Sequence, residues 1–196
     1  MEEQLSLPGF LPRLVALYSP VMGSGKSVIA KYLEREHGFA VVKFAGALKA
    51  MTRVFLSRLG YDVKTVERMV EGDLKEKPLP LFTNSVVTPR SIMQTLGTEW
   101  GRHEIDLHVW TKVAMAEAAL FMQQGQSVVI DDMRFFNEFQ AVRMAGGLIV
   151  KVHRPGAQKT VGHVSEGALS DVEFDRALVN DGTIEDLHQK IEEIIL

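Results

Sequence analysis

Apolar positions along this chain alternate between two rhythms. Short continuous apolar runs mark 13–19 (Leu14-Val15-Ala16-Leu17-Tyr18 at its centre), Ala40-Val41-Val42-Lys43-Phe44, Ser127-Val128-Val129-Ile130, Leu148-Ile149-Val150-Lys151-Val152 and Ala177-Leu178-Val179-Asn180. Runs of this length read as buried strands. Between them, apolar residues recur three and four apart, which predicts helices. Val28, Ile29, Tyr32 and Leu33 mark one over about 26–36, stopped at Gly38. Leu48, Met51, Val54, Phe55 and Leu59 mark one side of a helix from Gly46 to Gly60. Thr88 as N-cap and Pro89 at the first position open a third, with Ile92, Leu96 and Trp100 on one face. Asp106 begins a fourth, whose buried face is read as Trp110, Val113, Ala114, Ala118 and Phe121. Asn137-Glu138-Phe139-Gln140 resembles a capping box with Asn137 as its cap, and Gly146-Gly147 ends that helix. Ile184, Leu187, Ile191, Ile194 and Ile195 make the last.

Strand and helix in alternation predict an α/β fold, a parallel sheet flanked by helices, with ligands at the carboxyl ends of the strands. Residues 1–12 read as a loose leader broken by Pro8, Gly9 and Pro12. Residues 61–87 are less regular and rich in charge, a partly helical segment over a site or a solvated excursion. A polar stretch after Arg154-Pro155-Gly156 holds Lys159, His163, Ser165 and Glu166.

The chemistry centres on Gly23-Ser24-Gly25-Lys26-Ser27, between the first strand and the first helix. Glycines let successive backbone N–H groups turn inward on an anion, and the helix N-terminus adds partial positive charge. Lys26 is placed to reach the β- and γ-phosphates, and Ser27 to put its hydroxyl on Mg²⁺. Pro20 stands where the usual phosphate-loop pattern has its first glycine and removes one N–H. The donors nearest the phosphates lie later, at residues 23 to 28, Val28 included. Asp131-Asp132-Met133-Arg134 follows the third strand. A carboxylate there can hold Mg²⁺ directly or through water, and strand alternation lets at most one of the two face the metal. A turn or capping aspartate is the alternative. Arg90, Gln94, Thr98 and Arg102 form a four-spaced stripe on the helix from Thr88, suited to an anion and a base edge or, failing that, a plain surface stripe.

Composition adds limits. The chain has 196 residues, a net charge of −3 and no cysteine. One domain with room for a small inserted lobe fits that length, and disulfides and thiolate metal sites are excluded. The charge gives no general reason to bind nucleic acid or an anionic membrane. No run approaches the roughly 18 apolar residues of a membrane span, and the first residues lack a signal-peptide pattern. A cytoplasmic protein is expected.

Arg90-x-x-x-Gln94-x-x-Gly97-Thr98, Trp110, Asp132-Met133-Arg134-Phe135-x-Asn137-Glu138, Gly146-Gly147, Arg154-Pro155-Gly156, His163-Val164-Ser165-Glu166 and Asn180-Asp181-Gly182-Thr183 together resemble bacteriophage deoxynucleoside monophosphate kinases. The resemblance runs from about Leu14 to Ile195. It implies a P-loop kinase domain like that of the nucleoside monophosphate kinases over 1–196, an acceptor-covering segment at about 61–105 and a lid at about 154–175. It implies ATP and Mg²⁺, a deoxynucleoside 5′-monophosphate as acceptor and, for a phage protein, the host cytoplasm. Lys26, Asp132, Arg134 and Arg154 are then the catalytic set, with Ser27 and Asp132 on the metal. Asn180, Asp181 and Gly182 lie beside the ATP adenine, and Phe44, Lys49, Arg90, Gln94, Arg102 and Trp110 at the acceptor. A homodimer is left open. Phosphomevalonate and dephospho-coenzyme A kinases resemble the frame more loosely. The rival acceptor is a hydroxymethylated base in phage DNA; its hydroxyl would need a base such as Asp131 or Asp132, and the net charge argues against that substrate. A nucleotide-binding switch without catalysis would leave the Arg90 stripe without a purpose.

Overall fold

The computed structural model describes residues 11–84, 86–157, 169 and 172–196. The polar motif His163-Val164-Ser165-Glu166 and Lys159 lie outside the described residues, as does most of the leader. No helix among the described residues is long and apolar enough to cross a membrane.

The chain divides into two compact units: residues 1–44 with 115–196, and residues 45–114. The first holds a five-stranded parallel sheet. Its strands are β1 (Leu14–Tyr18), β2 (Ala40–Val42), β3 (Val128–Met133), β4 (Leu148–His153) and β5 (Arg176–Val179), ordered β2-β3-β1-β4-β5. The expected α/β fold is therefore observed. β1 lies between β3 and β4, so the strand order reverses around it. The loop that follows β1 opens at this switch point, where α/β sheets bind ligands.

The register explains one face. Val15 pairs with Val129 and Leu148, and their side chains join those of Leu17, Val150, Val152 and Leu178. Against them pack Ile29 and Leu33 of α1 (Lys26–His37) and Leu187, Ile191 and Ile195 of α7 (Ile184–Ile195). Apart from Leu148, which is partly buried against them, these residues are each under a tenth exposed, and their burial stabilises this unit. Leu14, Ala16, Ile130 and Ile149 are buried on the other face, where α6 (Phe136–Met144) packs along β4. α5 (Val109–Gln123) leads back into β3.

β1 and β3 slip in register by one residue. Ala16 pairs with Ile130 but Tyr18 with Met133, so Asp131 and Asp132 together oppose Leu17. Such a bulge twists the strand and re-aims its side chains.

The second unit is helical. It holds α2 (Gly46–Arg58), α3 (Val63–Val70), α4 (Pro89–Thr95) and a π-helix at Leu96–Ile105 that continues α4. Leu56, Val66, Met69, Val70 and Leu79 form its core, with Leu59, Tyr61, Leu74, Phe82 and Ile92 around it. Residues 61–87 are thus no mere solvated excursion: Val66, Met69, Val70 and Leu79 join a small core, while Val63, Leu81 and Val86 stay exposed. The predicted face of α2 is also corrected. Thr52 and Leu56 are its buried residues, whereas Met51, Val54 and Phe55 are exposed. On α5, Trp110, Ala114 and Ala118 are buried as expected but Val113 is exposed. The cap of α6 is corrected too. Asn137 lies inside the helix, and buried Glu138 reaches back to accept from the N–H groups of Arg134 (2.7 Å) and Phe135 (3.0 Å).

Candidate active site

Two backbone features shape the loop after β1. Gly23 and Gly25 have φ of 69° and 105°, and Gly25 immediately precedes α1. A Cβ on Gly25 would stand 2.6 Å from Asn180 Nδ2, so both its conformation and its surroundings demand glycine. Asn180 Nδ2 donates to the Ser24 carbonyl at 2.9 Å, and Arg154 Nη1 to the Gly23 carbonyl at 2.9 Å. Residues that follow β5 and β4 therefore hold the loop from outside.

α1 begins without a side-chain cap, and its first internal bonds run from Val28 and Ile29 to the Gly25 carbonyl. The N–H groups of Lys26 and Ser27 precede those bonds and find no acceptor within the helix itself. Together with the helix dipole they make an anion site. The loop and this helix start line a cavity of about 460 Å³ with Arg154, Asn180, Gly182 and Thr183. Of the predicted nucleotide residues, Gly23, Ser24, Gly25, Lys26, Ser27, Val28, Asn180 and Gly182 all line it. Asp181 does not; its exposed carboxylate pairs with Lys190 at 2.5 Å.

Lys26 Nζ donates to Ser24 Oγ at 3.2 Å. Burial pushes the Lys26 ammonium below the ordinary lysine value, helped by the nearby Arg134 charge and opposed by Asp131 and Asp132. Four charged groups thus share one electrostatic neighbourhood. Arg134 itself is exposed, and Glu138 fixes the backbone turn on which it stands.

The carboxylate that meets the loop is Asp131, not Asp132. Ser27 Oγ donates to Asp131 Oδ2 at 2.7 Å, and Asp131 is 4% exposed. Asp132 Oδ1 instead accepts from the N–H of Phe44 at 2.9 Å, at the end of β2. The physical reason is that β3 runs on to Met133, beyond Ile130 where the apolar run stops. Asp131 then shares the side of Val129, which packs against α1, and Asp132 takes the other side. Asp131 Oδ1 is buried and accepts no hydrogen bond among the described residues, although Lys43 Nζ lies 3.1 Å away. A hydroxyl beside a buried carboxylate oxygen with unused lone pairs is an all-oxygen donor pair that fits a hard cation such as Mg²⁺.

The predicted acceptor residues separate. Phe44 is 3% exposed, so its ring is core and its N–H serves Asp132. Lys49 donates to Glu71 at 2.9 Å within a network in which Arg53 also holds Glu67 and Glu71. Arg90 pairs with Glu76, both exposed, and Gln94 is exposed two residues before the helix changes period. Arg102 lies half-buried in the π-helix. Trp110 packs inside its unit. It is 7% exposed, its Nε1 donates to the Gly97 carbonyl at 2.8 Å, and its ring sits against Gly101. Sequence reading also missed an apolar pocket of about 570 Å³ in this unit, with Met51, Phe55, Ile92, Leu96 and Trp100 among its walls. Met51 and Phe55 fall on the apolar side of α2 that the spacing predicts, and their exposure there is the signal that marks the pocket.

The family model for deoxynucleotide monophosphate kinase matches residues 80–191. A protein of Acanthamoeba polyphaga mimivirus assigned to those kinases is 32% identical over 180 residues, covering 86% of this chain and 89% of its own. The deoxynucleotide monophosphate kinases of Escherichia phage RB69 and Enterobacteria phage T4 are each 31% identical, over 113 and 103 residues. Those alignments take in 57% and 52% of this chain and 46% and 43% of the phage enzymes, so the chain matches under half the length of either.

Proposed function

The chain belongs to the deoxynucleotide monophosphate kinase family, and from that premise we propose that it transfers the γ-phosphoryl group of ATP to a deoxynucleoside 5′-monophosphate, with Mg²⁺. The observation that carries the reading is the uncapped start of α1 beside the Ser27–Asp131 pair, opening on one cavity. The cytoplasm, with its nucleotide pool, is the setting that goes with this reaction.

An acceptor phosphate oxygen is already anionic at neutral pH, so no general base is required. What remains for the protein is positioning and neutralisation of charge. The N–H groups of the loop hold the donor phosphates. Lys26 sets its charge against the transferring group. Asn180, which ties down Ser24, keeps the loop in shape beneath the nucleoside. Arg134 and Arg154 extend guanidinium forks to phosphate oxygens, and Arg154 already stands over the loop through its bond to the Gly23 carbonyl. Ser27 and Asp131 would hold the metal, which would supply charge neutralisation on the phosphoryl oxygens.

Arg90, Gln94 and Arg102 are the proposed acceptor contacts. Glu76 neutralises Arg90 in the unliganded protein through an exposed pair, an interaction of about 0–1 kcal/mol that a dianionic phosphate displaces. The test is a panel of deoxynucleoside and nucleoside monophosphates with ATP and Mg²⁺, beside DNA carrying hydroxymethyluracil. Deoxynucleoside diphosphate formed in step with ADP supports the reading. Phosphate transfer to the DNA alone replaces it with the rival acceptor.

A further inference from the structure

Lys43 is a charged residue that the reaction as described does not use. It follows β2 directly, on the strand beside β3, and its ammonium lies 3.1 Å from Asp131 Oδ1 and 3.3 Å from Oδ2. The two partners are unequal. The Asp131 side chain is 3% exposed and that of Lys43 is 36% exposed. A carboxylate so buried requires a counter-charge, because an isolated ion in that setting is strongly penalised. Lys43 supplies it from a flexible stem whose other side is open to water, so it can leave without being stranded.

The geometry at Oδ1 points the same way. Nζ approaches that oxygen closely, yet no hydrogen bond of acceptable alignment reaches it. The oxygen is electrostatically compensated while its lone pairs stay unused. The ammonium thus stands where a divalent cation bridging Asp131 and Ser27 would compete with it. Lys26, by contrast, bonds to Ser24 and lines the donor cavity, so the two lysines have different tasks.

We propose that Lys43 is a tethered counter-ion: it holds the Asp131 carboxylate in the nucleotide-free protein and yields it to the divalent cation that arrives with the nucleotide. This rests on the assignment of Ser27 and Asp131 to the metal. Lys43 is a positioning residue in this role and touches neither substrate. Its effect is to make the metal, and with it the nucleotide, bind by exchange of one cation for another. Without it the Asp131 carboxylate would lose the cation that contacts it whenever the site is empty, and only the more distant Lys26 charge would remain to offset its burial.

The experiment measures binding rather than turnover. A non-hydrolysable ATP analogue is titrated calorimetrically into the wild type, Lys43→Met and Lys43→Arg, in Mg²⁺ and in EDTA. The quantity read is the gain in affinity that Mg²⁺ provides. Lys43→Met keeps the length of the side chain and removes the competitor, so its gain should exceed that of the wild type by roughly three- to tenfold, the range of a part-exposed ion pair. Its affinity in EDTA should match the wild type. Lys43→Arg offers the carboxylate a two-pronged partner, so its gain should fall below the wild-type value. An unchanged or smaller gain in Lys43→Met overturns the proposal. So does a loss of affinity in EDTA, which would make Lys43 a phosphate ligand. If Lys43→Met does not fold, the arginine variant decides: an equal or larger gain overturns the proposal. A wild type that binds the analogue with no gain from Mg²⁺ removes the metal assignment itself, and a wild type that does not bind it removes the donor site.

Discussion

Ser27 Oγ and Asp131 Oδ2 stand 2.7 Å apart although 104 positions separate them in the chain. One residue opens the helix after β1 and the other sits at the bulge of β3. The contact joins the phosphate loop to a buried carboxylate at the point where the sheet reverses its order.

Asp131→Asn should therefore lower Mg²⁺-supported turnover by on the order of 10²-fold. Asp132→Asn should do much less, since Asp132 accepts from the Phe44 N–H and an amide oxygen can still accept there. Steady-state rates for both variants across a Mg²⁺ series distinguish the positions. A larger loss at Asp132 would return the metal to the residue that the family resemblance favours.

Lys26→Ala should abolish transfer, by on the order of 10²-fold or more, with the fold retained. The side chain lies in a cavity wall and bonds locally to Ser24 rather than filling the core. Circular dichroism together with turnover checks both halves of the expectation. Near-normal turnover would remove the phosphate-loop assignment.

Arg90→Ala should raise the KM for the monophosphate and leave ATP binding as it is. Gln94→Ala should instead change the preference among bases, because an amide both donates and accepts. Monophosphate titrations at saturating ATP, set beside an ATP-binding curve, separate the two effects. Equal losses of both ligands would make this stripe structural.

Gly101→Ala should destabilise the helical unit by about 1–3 kcal/mol through overpacking. The new Cβ would meet the Trp110 ring at 2.5 Å, and that ring is anchored by its bond to Gly97. Denaturant unfolding measures this. A variant as stable as the wild type would show that Trp110 can shift.

Glu192 gives a pH dependence. Burial raises its carboxyl, but hydrogen bonds from Tyr32 (2.5 Å) and His37 (2.6 Å) outweigh that and hold it below the ordinary glutamate value. A depressed folded value means stability that is present above the ordinary range near 4.5 and lost as pH falls through the folded value. Glu192→Gln should lower stability at neutral pH by about 0.5–1.5 kcal/mol and converge with the wild type in acid. Thermal melts across that range test it; parallel curves would contradict the sign.

Much of this was legible from residue order. The five apolar runs are the five strands, and the glycine loop with its lysine and serine falls between β1 and α1. The Asp131–Asp132 choice was not legible, because the apolar run stops at Ile130 and does not show that β3 runs on to Met133, which carries the strand alternation through both aspartates. Residues 61–87 hid their core behind charge: Val66, Met69, Val70 and Leu79 are too few to stand out among so many acids and lysines. The four-residue stripe from Arg90 to Arg102 crosses from α-helix into π-helix, and spacing alone cannot distinguish those two periods. Trp110 matched a family motif, yet a motif match does not separate a residue that touches substrate from one that holds the helix beside it.

The most direct measurement follows the phosphoryl group itself. ATP labelled at its γ-phosphate is mixed with a deoxynucleoside monophosphate and Mg²⁺, and the products are separated. Label on the β-phosphate of the deoxynucleoside diphosphate, in amounts equal to the ADP formed and absent with Lys26→Ala, is the expected result. Label released only as inorganic phosphate, or no difference between the wild type and Lys26→Ala, would contradict it.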